Sequence, residues 1–337
     1  MATTSPLLKS QCRAADRTRP PAYVLITPAR NEAAFIEETI KSVVSQTLKP
    51  LRWVIVSDGS TDGTDEIVQR YMAEHHWIEL IRMPERKERH FAGKVHAFDA
   101  GYAKVKNLKY GVIGNLDADV SFEKDYFSFL LGKFVENSRL GVGGTAFREE
   151  SEQYDYSFTS IEHVSGQCQM FTRECFEEIG GYVPAESGGI DLVAVIKARM
   201  KGWETKSFPE KIFVHHRKMG TAKYGRLAAK FKDGEKDYVL GGHPVWEIFR
   251  WVYQMSKRPF ILRGCALFAG YIWAMLRRRK RSVTVELMRF RRREQMARLR
   301  RFLSGRRSLL SETAGAVAGN SASVGRHGLK SDEISTS

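Results

Sequence analysis

The stretch VIVSDGSTDGT, residues 54–64, runs from an apolar β-branched segment straight into a loop of Ser, Asp, Thr and Gly. The first part suits a buried strand, and the second is turn chemistry that halts it. Upstream, AYVLIT at residues 22–27 is another short apolar run, bounded by Pro21 and Pro28. Between the two, Phe35, Ile36, Ile40, Val43 and Val44 recur at helical spacing up to Pro50, and Asn31 is placed to cap that helix. Downstream, Ile67, Val68, Tyr71 and Met72 mark a second helix, residues 78–83 a third strand and residues 110–116 a fourth. Strands alternating with helices predict βαβ units, hence an α/β fold with a mostly parallel sheet flanked by helices.

In such sheets ligands bind beyond the carboxyl ends of the strands. Three polar clusters fall there: TPARNE at 27–32, SDGSTDG at 57–63 and DAD at 117–119. Further along, residues 140–147 read as a strand, and residues 179–182 close a short helix. Residues 190–200 form a helix opened by Gly188 and Gly189, and residues 205–208 and 212–215 read as two strands.

Asp117 and Asp119 follow a buried strand at positions i and i+2, where they can share a divalent ion or divide metal and ribose contacts. Oxygen ligands completed by substrate phosphates suit Mg2+ or Mn2+; the same pair in an ordinary turn would need no ligand. Asp58 can accept a hydrogen bond from a nucleobase N–H, and Asp58, Ser60 and Asp62 can equally serve their loop as turn and cap residues. Thr27, Pro28, Ala29, Asn31 and Glu32 form a loop able to hold a ribose or base through its backbone and the Glu32 carboxylate.

The run PERKERHFAGKVH, residues 84–96, is cationic, with Arg86, Lys87, Arg89, His90 and Lys94. Lys94, which opens a helix, is its candidate for neutralising phosphate charge; Arg86 and Lys87 read as solvated loop. Asp191 begins a helix, where a carboxylate is stabilised by the dipole. It can also take a proton from an acceptor hydroxyl as a general base. His215, His216 and Arg217 end a strand, where a histidine can pack, ligate a metal or contact phosphate.

The net charge of +15 on 337 residues is concentrated in one place. Between Ser256 and Arg307, 17 Lys or Arg face only Glu286 and Glu294, which accounts for the whole excess. The rest is nearly neutral, so the high isoelectric point does not point to a nucleic-acid partner. Four cysteines without paired spacing indicate neither a disulfide framework nor a structural zinc. The polar, basic opening segment predicts a cytosolic start.

Taken in order, these stretches resemble the family-2 glycosyltransferases with the GT-A fold, over residues 22–217. TPARNEAAFIEETIKSVVSQT is similar to that family's opening strand and helix, VIVSDGSTDGT to its nucleotide-binding loop and GKVHAFDAG to its next helix. NLDAD is similar to its DxD motif, and IGGYVP with GGIDLVAVIKARMKGW to its acceptor-side region. The resemblance implies that Asp58 contacts the base, Asp117 the nucleotide and Asp119 the metal, with Asp191 as catalytic base in an inverting displacement. Two departures stand out. Ser57 replaces the first acid of the usual Asp-Asp pair, and Ile190 replaces the acid that often precedes the base.

Residues 243–303 differ in kind. Trp246, Phe249, Arg250, Val252 and Tyr253 form an aromatic-rich amphipathic pattern, and PFILRGCALFAGYIWAML at 259–276 is apolar apart from Arg263 and is followed by RRRKR. The uninterrupted part is shorter than the roughly 20 residues a spanning helix needs. It predicts a helix lying in the interface, with arginines on an anionic membrane surface and the protein peripheral or monotopic at the cytoplasmic face of the inner membrane. A buried helix followed by an exposed basic one is the plainer alternative.

The chain thus divides into an extension (1–20), a GT-A catalytic domain (21–242), membrane-associating helices (243–303) and a disordered tail (304–337). The expected partners are a nucleotide-sugar donor and a lipid-linked or saccharide acceptor, with no nucleic acid. The arginine segment has few aromatics beyond Phe290 and Phe302 on which bases could stack. A sugar-phosphate nucleotidyltransferase is the rival enzyme class, but TPARNEAAF lacks the glycines its phosphate loop would require.

Overall fold

Alternate residues of strand β1 (Tyr23–Ala29) enter two different cores. Tyr23 and Leu25 pack on one face of the sheet, Val24 and Ile26 on the other, all essentially unexposed. Burial on both faces is why the strand reads as continuously apolar. These coordinates come from a computed structural model that describes residues 19–85, 91–149, 152–153, 160–185, 188–217, 225–257 and 260–304. The 1–18 part of the N-terminal extension, the cations Arg86, Lys87, Arg89 and His90, and the tail from 305 lie outside the described residues.

Helix α1 (Ile36–Val44) leads to β2 (Arg52–Asp58), which runs parallel to β1 with Leu25 opposite Trp53. Helix α2 (Thr64–Glu74) leads to β3 (Ile78–Met83), parallel to β2. Helix α3 (Phe91–Val105) crosses back to β4 (Val112–Leu116), parallel to the other edge of β1. Asn31 does not cap α1. It adopts φ 54°, and its side-chain oxygen instead accepts a hydrogen bond from the Thr61 N–H at 2.8 Å, tying the first two rim loops together.

The second half of the sheet is mixed. The short β5 (Val120–Ser121) and α4 (Tyr126–Glu136) precede β6 (Leu140–Glu149), β7 (Glu152–Gln153), β8 (Cys168–Thr172) and α5 (Arg173–Glu178). Then come α6 (Ile190–Met200) and β9 (Glu204–His215). The strand order is β3-β2-β1-β4-β8-β6-β9-β5, with β7 paired to β6. β8 inserts antiparallel between β4 and β6, and β9 lies parallel to β6. Residues 205–215 are one strand rather than two. The register steps from Thr145 opposite Phe208 to Ala146 opposite Ile212, so an irregularity absorbs Pro209 without ending the strand.

Four helices complete the described chain: α7 (Arg226–Val239), α8 (Pro244–Met255), α9 (Leu262–Leu276) and α10 (Val285–Leu303). α7 and α9 touch backbone to backbone through glycines. A Cβ at Gly270 would lie 1.9 Å from the Phe231 carbonyl oxygen, and one at Gly234 would lie 2.0 Å from that of Leu267. The opposite face of α9 is exposed and apolar, and α10 returns to the catalytic body, where Leu287 joins Val193 and Ile196 of α6 and Leu240 in one cluster. Among the described residues no helix is long and apolar enough to cross a membrane.

Candidate active site

The rim is built by interlocked loops. Asn31 N–H donates to Ser60 Oγ (3.1 Å), Glu32 N–H to Thr64 Oγ1 (2.9 Å) and Ala33 N–H to Asp62 Oδ2 (3.0 Å). Asp62 also accepts from Thr64. Ser60 and Asp62 therefore do the structural work that a turn-rich loop demands. Asp58, at the end of β2, lies 4.0 Å from the Arg30 guanidinium. Thr27 is wholly buried and accepts from Trp53 Nε1 at 2.9 Å, while Ala29 packs in the core and Pro28 is half-buried.

One strand over, Asp117 leaves β4. Its N–H donates 2.8 Å to the Gln167 carbonyl, extending the β4–β8 ladder, and its carboxylate pairs with Lys94 Nζ. Asp117, Lys94 and Asp191 line a single cleft of about 160 Å³, walled by Phe98, Tyr182 and Ile190. Burial alone would depress the Lys94 ammonium, but Asp117, helped by Asp191 and Asp119, holds it above its ordinary value, so it stays a cation. Burial pushes the Asp117 carboxyl up; Lys94 pulls it back and Asp119 adds to the rise.

Asp119 stands beside this cleft in a different company. β5 pairs with the end of β9, Val120 opposite His215, which places His215 Nε2 3.5 Å from Asp119 Oδ2. Arg217 Nε is also 3.5 Å from that oxygen, and its other edge pairs with Glu32. Burial would raise Asp119, but the hydrogen bond and charge of His215, with Arg217, hold it below the usual carboxylate range. Burial likewise works against the His215 imidazolium, while Asp119 and Glu149 hold the histidine's pKa above normal.

The donor chemistry here fits a divalent cation. Asp119 offers a carboxylate, and His215, on giving up the proton that Asp119 and Glu149 stabilise, an imidazole; His215 Nδ1 lies 2.8 Å from Glu149 Oε1, the outer carboxylate that typically orients a metal-binding histidine. Among the described residues no group of three or more His, Cys, Asp or Glu could hold a metal. A cation at this point therefore draws part of its shell from elsewhere, as Mg2+ and Mn2+ do from substrate phosphates.

Asp191 sits in the first turn of α6, behind Gly189 at φ 79°. Three neighbours were invisible in the linear sequence. Gly166 lies against it, since a Cβ there would come 2.9 Å from Asp191 Oδ2. Asn115 Nδ2 holds the Gly166 carbonyl at 2.7 Å. His163 is buried enough for its pKa to fall, against the pull of Asp191. Asn115 meets Gly166 across the β4–β8 pairing, which no local pattern signals; the one cue is Asn115, polar inside an apolar strand. His216 is tied down, stacked on Phe35 and 2.9 Å from Ser121 Oγ.

Both departures lie in buried surroundings. Ser57 is 1 % exposed and faces inward where Asp58 reaches the rim, and Ile190 belongs to the core cluster that also forms the cleft wall.

The sequence model described as Glycosyl transferase family 2 matches residues 24–190, a span that carries Asp58, Asp117 and Asp119 and ends immediately before Asp191. A glycosyltransferase, GlyA of Streptococcus pneumoniae, is 30% identical over 133 residues, 39% of this chain and 18% of its own. The poly-beta-1,6-N-acetyl-D-glucosamine synthase of Staphylococcus aureus is 22% identical over 199 residues, 53% of this chain and 46% of that one. The chain therefore spans less than half the length of either curated relative. The mannosyltransferase PcManGT of Pyrobaculum calidifontis, solved with GDP-Man and Mn2+, superposes with a TM-score of 0.53 at 20% identity, over 95% of this chain and 88% of that one. GalNAc-T7, solved with UDP, GalNAc and Mn2+, gives 0.52 at 13% identity over 71% and 52%. Strand order, rim acids and family match converge: this chain belongs to glycosyltransferase family 2 and has the GT-A fold.

Proposed function

We propose that the protein transfers a sugar from a UDP- or GDP-type nucleotide sugar to a hydroxyl of a lipid-linked or saccharide acceptor, by metal-assisted inverting displacement. The observation that carries this reading is the shared cleft, with Lys94, Asp117 and Asp191 on its walls and Asp119 beside it. The GDP-Man and Mn2+ complex of PcManGT and the UDP, GalNAc and Mn2+ complex of GalNAc-T7 support the donor and metal classes, and the glucosamine polymer synthase supports a polysaccharide-type acceptor.

Each residue has a physical role in this scheme. Asp58, and the loop of Thr27, Pro28, Ala29, Asn31 and Glu32, receive the base and ribose. Lys94, kept cationic, faces the diphosphate, and Asp117 orients it and the nucleotide. Asp119, with His215, would hold Mn2+ or Mg2+, which when bound offsets charge on the departing diphosphate. Asp191 takes the proton of the acceptor hydroxyl as that oxygen attacks the anomeric carbon.

The membrane side of the reading rests on the helices after residue 243. Ile248 and Val252 of α8 and Leu262, Trp273 and Leu276 of α9 are each at least 46% exposed, and Arg277, Arg278, Arg279 and Lys280 follow at once. Apolar side chains edged by cations suit peripheral attachment to an anionic cytoplasmic membrane face, where a lipid-linked acceptor is available.

The test is release of nucleoside diphosphate from a panel of nucleotide sugars with Mn2+. Release should require metal and fall about 100-fold or more in Asp119→Ala and in Asp191→Ala. Full activity in Asp191→Ala rejects that residue as the base. Separately, the full chain should float with anionic vesicles and not with neutral ones, and Val252→Glu with Leu276→Glu should release it; flotation unchanged by those substitutions removes the membrane assignment.

A further inference from the structure

Residues 160–166 pack against Asp191 at Gly166, and α10 contacts both this segment and the helix that carries Asp191. The main chain of this segment is pinned at one end. Ile161 O accepts from Ser207 N–H at 2.6 Å, and Glu162 O accepts from Thr205 Oγ1 at 2.6 Å and from Arg199 at 3.1 Å. At the other end Gly166 touches Asp191 and is held by Asn115.

Two contacts from α10 complete the arrangement. Glu294 takes the Arg199 guanidinium in a two-point grip, Nε to Oε1 at 2.6 Å and Nη2 to Oε2 at 2.9 Å, with both side chains largely buried. Arg298 donates to the Glu162 carboxylate at 3.0 Å. Arg199 lies on α6, two turns beyond Asp191. One helix therefore grips both the helix that carries the base and the segment that packs on the base. A paired, planar Arg–carboxylate contact fixes orientation as well as distance.

We propose that Glu294 and Arg298 are positioning residues that set the placement of Asp191 against the 160–166 segment, so that α10 serves the acceptor half of the reaction and not the donor half. This rests on Asp191 being the general base. Among the described residues no contact joins Asp117 or Asp119 to Glu294 or Arg298; Asp117 is held by Gln167 O and Lys94 instead, so loosening the brace should displace Asp191 and leave nucleotide affinity unchanged.

The experiment uses the full chain with Glu294→Gln, Arg298→Gln and Asp191→Asn. It measures diphosphate release from nucleotide sugar with Mn2+, affinity for the nucleoside diphosphate, and hydrogen exchange by peptide. Glu294→Gln should lower kcat about tenfold or more, since small misplacements far from the chemistry have that effect. Nucleotide affinity should stay within about twofold, and exchange should rise in 160–166 but not in 24–58. The exchanged pair Glu162→Arg with Arg298→Glu should recover most of the activity lost in Arg298→Gln.

Unchanged kcat and exchange in Glu294→Gln, alongside a dead Asp191→Asn, overturns the brace and leaves the base intact. An active Asp191→Asn overturns the base reading instead. Loss of nucleotide affinity in step with kcat overturns the division between halves.

Discussion

At Gly166 a single methyl group decides whether Asp191 keeps its place. The Cβ of Gly166→Ala would stand 2.8 Å from Asp191 Cβ, closer than carbon atoms tolerate, so the carboxylate must move. Turnover should fall about tenfold or more while nucleotide affinity is kept, and a fully active variant would show that the contact is incidental. Asp58, Asp117, Asp119 and Asp191 could be named from the sequence because each follows an apolar run or opens a helix, a local pattern that spacing reveals. Gly166, Asn115 and His163 could not, because the contacts that bring them to Asp191 join segments far apart in the chain, Asn115 to Gly166 and residues 161–162 to β9 and α6. His215 could be noticed but not assigned, since its pairing with Asp119 depends on a two-residue strand too short to leave a periodic trace.

Between elements, the α7–α9 contact is the one that tolerates least. The Cβ of Gly270→Ala would lie 1.9 Å from a carbonyl oxygen of Phe231, a backbone atom that cannot rotate away, so the helices must separate. Overpacking of this kind costs about 1–3 kcal/mol, and thermal unfolding should show a lowered midpoint; an unchanged midpoint means the helices can slide without loss. The first four strands were readable because βαβ units alternate two clear periods. β8 and the continuity of β9 were not: β8 is five residues preceded by a loop, and Pro209 looks like a strand breaker until an irregular register accommodates it. The distance between helices was equally hidden, because a glycine in a helical pattern reads as a weak point and not as a point of contact.

For the molecule as a whole, Glu247 links stability to pH. It is fully buried between α7, α8 and α10; its Oε1 lacks a hydrogen-bond partner among the described residues, and its Oε2 lies 3.5 Å from Arg250. Burial raises its pKa from 4.5 to about 7, against the pull of Arg291. A raised value means the folded state binds the proton more tightly than the unfolded chain does. The stabilisation is complete below about pH 4.5 and is lost as pH rises through about 7. Glu247→Gln should therefore flatten the dependence and be more stable than the parent at pH 8, by about 3 kcal/mol at most. Denaturant unfolding at pH 5 and pH 8 checks this, and identical pH dependence in both proteins refutes it.

The grip of Glu294 on Arg199 spans 95 residues. Contacts so distant along the chain form late, because the intervening loop must close first. In a polypeptide emerging from the ribosome, β1 to β4 are complete before β8, β9 and α10 have been made, so the Asp119–His215 contact and the grip of Glu294 on Arg199 are among the last to form. With α10 acting as proposed, turnover would be the last property the growing chain acquires, once synthesis has passed residue 298.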